Sequence, residues 1–297
     1  MLKRLRLAGI STGSAPSWSA VLAPFWIIRP WAGFSVVVMV IVAYFVTAAT
    51  VVVDWDFIVL ISAIFLIGSA GFPLNDIYDL EIDRRAHKER PLVRGHMSVS
   101  AAKVQAIAML LAAIGLAATL GAREALIAGT FCAAIIFYSA VKAWQAALAN
   151  VLTAVLFAAA IPAPLFIQDG PFDKQLLFGF AGVCALLIFG REVVKDIQDR
   201  EIDLIHGRKT IPIVHGVDVG YRLGGLSVAL AGIAAVFISI DADMALRALA
   251  LALAVFLFAA GFSVHNGTEA SAAKSWVTRL RVIMLVAIAT LGIGATI

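Results

Sequence analysis

Charge is scarce in this sequence. Asp, Glu, Lys and Arg make up 14% of the 297 residues, and 62% are hydrophobic, whereas a soluble domain carries about a quarter charged residues. The deficit excludes an ordinary soluble fold. Cysteine is scarcer still: Cys132 and Cys184 sit far apart inside apolar runs, which excludes a disulfide framework and leaves two small buried apolar side chains. His87, His96, His206, His215 and His265 show no metal-ligand spacing and read as ordinary loop residues. No low-complexity linker divides the chain, so residues 1–297 read as one domain.

What is abundant is long apolar stretches. Nine runs approach the roughly 20 residues that cross a bilayer as helix: 31–53, 57–74, 104–120, 125–141, 146–167, 176–194, 223–240, 248–264 and 282–297. Such runs are too long for barrel strands, and in lipid every backbone amide must be satisfied within its own segment, so helices are expected. The expected fold is an all-α polytopic membrane bundle of about nine transmembrane helices, with an active-site cavity toward the cytoplasm. Pro162 and Pro164 inside the fifth run predict a kink rather than a break.

The basic residues set an orientation. All Lys and Arg except Arg123, Lys174 and Arg247 fall in the N-terminus and alternate loops, and the opposite side holds Asp54, Asp56, Glu124, Asp169, Asp173, Asp241 and Asp243. The N-terminus and the loops near 75–103 and 191–222 therefore face the cytoplasm, in a cell (inner) membrane. The net charge of +4 reflects this bias, not nucleic-acid binding. The opening MLKRLRLAGISTGSAPSW is basic but lacks a compact apolar core followed by a small-residue cleavage site, so it reads as a cytoplasmic tail or interfacial helix.

Against this background residues 75–84, NDIYDLEIDR, stand out, as do residues 195–204, KDIQDREIDL. Both contain D-I-x-D-x-E-I-D, which hints at an internal duplication. Asp76, Asp79 and Asp83 step by three and then four, as do Asp196, Asp199 and Asp203; on a helix each set shares one face. Stacked carboxylates repel, so something must offset them. Mg²⁺ does so best, binding one or two carboxylates together with substrate phosphate oxygens. Nearby Arg84, Arg85, Lys88, Arg90, Arg94, Arg191, Lys195, Arg208 and Lys209 suit the remaining phosphate charge. One acidic loop is an ordinary solvated connection; two with the same wording at span ends predict a diphosphate cage. The substrate then has a diphosphate head and a lipid tail.

These residues carry a resemblance. NDIYDLEIDR resembles the N-D-x-x-D-x-x-x-D motif of the UbiA superfamily of intramembrane prenyltransferases, and KDIQDREID is similar to its second aspartate motif. ERPLVRGHMS, GRKTIPIVHG and FYSAVKAW are similar to the family's flanking signatures. The resemblance implies that Asp76, Asp79, Asp83, Asp196, Asp199 and Asp203 bind two Mg²⁺ ions and, through them, a polyprenyl diphosphate such as geranylgeranyl diphosphate. Asn75 is then a metal ligand or its support, and Arg90, Lys142, Lys195 and Lys209 hold phosphate oxygens. The implied reaction is ionisation to an allylic carbocation, which an acceptor attacks at C1.

Tyr138 has two readings, a ring face that stabilises the cation or an interfacial anchor. Arg29 is a substrate contact or a topology anchor. Arg191, a turn before Lys195, is expected to join the site, although snorkelling is its default explanation. The second motif is worded most like the branch that includes the archaeal digeranylgeranylglyceryl phosphate synthases, whose acceptor is a glyceryl phosphate hydroxyl. Aromatic acceptors are the superfamily's commonest use, so both stay open. Two rival functions remain: a UbiA-type terpene cyclase using the same cage, and an ion-coupled transporter, against which the position of the acids at span ends argues.

Overall fold

The computed structural model describes residues 18–142, 145–168, 171–242 and 244–294. The basic tail over residues 1–17 and the end of the last expected span lie outside them. The described residues form helices and a single isolated bridge, Ala48 to Phe172.

Short helices α1 (Trp18–Val21) and α2 (Ala23–Ile27) lead into α3 (Pro30–Thr47). Pro30 suits the first turn of α3, where its missing N–H costs nothing, and Arg29 before it adopts a left-handed backbone, φ 46°. The helix stops at Thr47, six residues short of the expected end of this span. Residues 48–54 instead run extended: Ala49 N–H bonds Pro171 O at 3.0 Å, and the buried Tyr44 hydroxyl holds Val52 through its N–H, 2.7 Å, and carbonyl, 3.0 Å. The β-branched run Val51–Val53 favours this extended form.

Helix α4 (Trp55–Tyr78) opens with Asp54 accepting from Phe57 N–H at 3.0 Å, a cap expected of Asp at this position. It packs against α6 (Val99–Leu120), whose buried stripe Ala102, Ala106, Leu110, Ala113 and Ala117 recurs at helical spacing. With α7 (Ala122–Lys142) these helices share one apolar cluster, which includes Cys132. A second, larger cluster centres on α9 (Lys174–Gln198), buried along most of its length and flanked by α8 (Ala146–Ala160), α12 (Val217–Ile238) and α14 (Ala273–Gly294); it includes Cys184. Helix α13 (Met244–His265) lies against α12 so closely that a Cβ on Gly225 would stand 2.4 Å from the carbonyl oxygen of Gly261. Small residues of this kind let membrane helices approach backbone to backbone.

Seven described helices are long and apolar enough to cross a membrane: α3, α4, α6, α7, α9, α12 and α13. The other two expected spans correspond to α8, which is shorter, and to α14, which carries Lys274, Arg279 and Arg281. Pro162 and Pro164 do not kink a continuing helix. Helix α8 ends at Ala160 and the chain makes a 3-10 turn over Ala163–Phe166, because two prolines so close together remove two amide donors.

The duplication is legible in the backbone. Helix α4 breaks at Asp79 and continues as α5 (Leu80–Arg85); α9 breaks at Asp199 and continues as α10 (Arg200–Ile205). The three aspartates of each motif therefore do not ride one unbroken helix, as their spacing predicts. The middle one sits at the joint in both halves, with φ/ψ of −87°/0° and −91°/2°. After each third aspartate comes a left-handed residue, His87 (φ 49°) and Gly207 (φ 67°). Next, Lys88 N–H bonds Asp83 O and Arg208 N–H bonds Asp203 O, both at 3.0 Å. The second half closes with α11 (Ile211–Val214) before α12.

Candidate active site

Both aspartate motifs open on one cavity of about 860 Å³, near the upper end of the usual range for ligand clefts. Its lining joins the charged motif residues to apolar side chains that include Phe34, Met39, Phe131, Phe157 and Ile288. Every expected site residue lines it except Lys209: Arg29, Asn75, Asp76, Asp79, Asp83, Arg90, Tyr138, Lys142, Arg191, Lys195, Asp196, Asp199 and Asp203 are all on its surface. Lys209 is exposed and does not line the cavity. Its neighbour Arg208, buried, takes the place expected for it.

In the first half the acids are buried among cations. Asp76 Oδ1 accepts from Arg29 and, at 2.7 Å, from Arg90 Nη1, and Arg90 also reaches Asp83. Lys88 Nζ lies 3.3 Å from Asp83 Oδ1. Asp79 Oδ2 accepts from Lys142 Nζ at 2.9 Å, and its other oxygen takes Arg208. Arg208 in turn holds Asp203 Oδ1 at 3.2 Å, so one guanidinium ties the first motif to the second.

The second half is built differently. Asp196 Oδ2 accepts from the amide of Asn150 at 2.7 Å. Asn150 stands 46 residues before Asp196, much as Arg29 stands 47 before Asp76. A neutral amide thus fills the place of a guanidinium. Deeper along α9, buried Glu192 is shared by Arg191 and by Lys195 Nζ, the latter at 3.1 Å.

Electrostatics follow these pairings. Burial alone would push the Asp79 carboxyl up, but Lys142 and Arg208 outweigh it and hold the group well below its ordinary value. Burial raises Asp203, with Arg208 opposing in part. The same burial would lower Arg208, yet Asp79 and Asp203 outweigh it and raise it. Burial lowers Arg29, with Asp76 opposing.

The donor set suits a hard divalent cation, being carboxylates and an amide. Asn75 Oδ1 is buried with no hydrogen-bond partner, an unsatisfied oxygen of the kind such an ion takes up. Among the described residues no three acids converge on one point; fixed cations stand between them instead.

The UbiA prenyltransferase family model matches residues 36–288. The chain belongs to the UbiA prenyltransferase family. Its apolar helices and this membership make it an integral membrane protein. It is 34% identical over 191 residues to the digeranylgeranylglyceryl phosphate synthase of Thermococcus kodakarensis, a match spanning 63% of this chain and 66% of that one, just under two-thirds of the relative's length. Among solved structures, one of digeranylgeranylglyceryl phosphate synthase in membranes superposes with a TM-score of 0.75 at 20% identity, over 93% of this chain and 98% of that one. A UbiA homolog from Archaeoglobus fulgidus bound to DMAPP and Mg²⁺ gives 0.67 at 17% identity, over 93% and 99%. At those identities the likeness is one of fold.

Some residues that line the cavity escape sequence reasoning. Lys88 and Arg208 appear there only as flanking charge, although each lies five residues after its third aspartate and the repeat itself pairs them. Asn150, Glu192 and Arg281 carry no local signal. The folded helices alone bring them to the cavity.

Proposed function

We propose that this chain is a Mg²⁺-dependent prenyltransferase that moves a polyprenyl chain from its diphosphate to the hydroxyl of a glyceryl phosphate. The observation that carries the reading is two aspartate motifs, each flanked by basic residues, facing one apolar cavity at the ends of α4 and α9. The names of the Thermococcus relative and of the superposed synthase support the glyceryl phosphate acceptor over an aromatic one, and the Archaeoglobus complex supports a prenyl diphosphate donor.

Asp76, Asp79, Asp83, Asp196, Asp199, Asp203 and Asn75 would hold the metal. When bound, Mg²⁺ neutralises the departing diphosphate as a Lewis acid. Arg90, Lys142 and Lys195 face the same space and carry the remaining phosphate charge. The C–O bond of the allylic diphosphate breaks with its electron pair leaving on diphosphate. The acceptor oxygen bonds C1, and its proton passes to the diphosphate. Tyr138 lines the same cavity and would stabilise the cation through its ring face, while the apolar walls exclude water that would quench it. The basic bias of these loops supports a mouth that faces the cytoplasm.

Purified protein with Mg²⁺ and geranylgeranyl diphosphate, given no acceptor, an aromatic acid or geranylgeranylglyceryl phosphate and analysed by mass spectrometry, tests the reading. The expected product is geranylgeranylglyceryl phosphate plus one prenyl unit. Product from an aromatic acid moves the acceptor, a hydrocarbon formed without acceptor makes the protein a cyclase, and no diphosphate release overturns the reading.

A further inference from the structure

Helices α9 and α14 bring a second group of cations to the cavity, apart from those bound to the first aspartate motif. Arg29, Arg90, Lys88, Lys142 and Arg208 are each engaged by aspartate carboxylates. Arg191, Lys195 and Arg281 are not. Arg191 and Lys195 both hold one buried carboxylate, Glu192. Arg281, an exposed residue on the cavity wall, lies within electrostatic reach of Arg191 and Glu192, and among the described residues no hydrogen bond or ion pair engages it. Arg191 Nε is buried and also without a partner.

Glu192 thus engages Arg191 and Lys195 only, which leaves the Arg281 guanidinium and the buried Arg191 Nε free to bond a ligand. A buried unpaired donor is costly unless a ligand takes it up. Two guanidiniums from different helices suit a phosphate monoester, whose several oxygens can accept from both at once. Below Arg281, the face of α14 continues into the cavity as Met284, Leu285 and Ile288, at the spacing of one helical face. The site therefore offers an anion clamp above an apolar slot.

We propose that Arg281 and Arg191 form a second anion subsite, distinct from the diphosphate cage, that receives the phosphate monoester head of a lipid acceptor while its chain lies along Met284, Leu285 and Ile288. Arg281 is then a specificity-determining residue for the acceptor. This rests on the prenyl-transfer reading above for its catalytic consequence, but not for its binding test.

The test begins without donor or Mg²⁺, so turnover plays no part. Binding of geranylgeranylglyceryl phosphate to the full chain in detergent is measured by calorimetry, beside the same ether lacking phosphate. The wild type is expected to prefer the phosphate form. Arg281→Gln is expected to weaken it by roughly tenfold or more, the effect of losing one charge-assisted contact, and to leave the phosphate-free ether unchanged. Arg281→Lys should recover part of the loss, and Arg279→Gln, whose guanidinium stacks on Trp276 outside the cavity, should bind as wild type. In turnover, Arg281→Gln should raise KM for the phosphorylated acceptor and not for the prenyl diphosphate. Equal affinity of the wild type for both ethers overturns the subsite, as does an Arg281→Gln loss shared by the phosphate-free ether or a rise in donor KM. If phosphate-dependent binding persists and no diphosphate is ever released, the subsite stands and the transferase reading fails.

Discussion

Arg208 reaches Asp79 across 129 residues of sequence and holds Asp203 with its other arm. All three are buried, and the guanidinium is the joint at which the two motif segments meet. Such a group is structural before it is chemical, since removing it strands the Asp203 carboxylate away from water and leaves Asp79 to Lys142 alone.

Arg208→Ala should therefore cost stability as well as activity. Breaking a buried pair from one side typically costs about 3–5 kcal/mol, visible as a lowered unfolding temperature in detergent. Adding Asp203→Asn to that variant should recover part of the loss by removing the stranded charge. Lys209→Ala, at an exposed position outside the cavity, should unfold and turn over as wild type. Loss of activity in Lys209→Ala with Arg208→Ala unaffected would reverse the assignment.

The unequal partners of Asp76 and Asp196 predict unequal metal sites. A metal at Asp76 must compete with Arg29 and Arg90, whereas at Asp196 it meets only an amide. Titration with Mn²⁺ followed by electron paramagnetic resonance should show one tighter ion, lost in Asp196→Asn and kept in Asp76→Asn. Asn150→Arg, which copies the first half, should raise the Mg²⁺ needed for half-maximal activity. The opposite loss pattern in the two aspartate variants would sink the idea.

Tyr138 is half-buried on the cavity wall, and its two readings separate by substitution. A ring-face role survives in Tyr138→Phe, which should stay near wild-type kcat, whereas Tyr138→Leu should lose roughly tenfold or more, in keeping with a desolvated cation–π contact. If both variants turn over as wild type while membrane insertion falls, the residue is an anchor.

Gly225→Ala tests the seam between α12 and α13. The added methyl carbon meets the Gly261 carbonyl at 2.4 Å, and backbone lies on both sides of the contact. The helices must separate, at about 1–3 kcal/mol, and the unfolding temperature should fall. Gly115→Ala, where a Cβ would meet nothing, is the matching control.

Much of this was readable in the linear chain, for a physical reason. Membrane helices announce themselves by long apolar runs, and the aspartates stand out because charge near lipid is expensive. Every expected span found a helix, and all but one of the expected site residues reached the cavity. The errors were local. Val51–Val53 looked like more span because hydropathy does not distinguish helix from an extended stretch held by Tyr44. The three-four aspartate spacing suggested unbroken helices because spacing says nothing of a joint at Asp79 or Asp199. Lys209 was preferred to Arg208 from motif wording, and only the fold turned one inward. Arg281 and Asn150 were invisible because what makes them matter lies on other helices.

A cage assembled from two like halves would offer the same wall on either side, and a diphosphate has two phosphates that must be told apart, since only one is esterified to the chain. With Arg29 in one half and Asn150 in the corresponding place of the other, the walls differ by a full charge. The cavity thereby gains an electrical direction, and a substrate entering it meets a compass rather than a mirror.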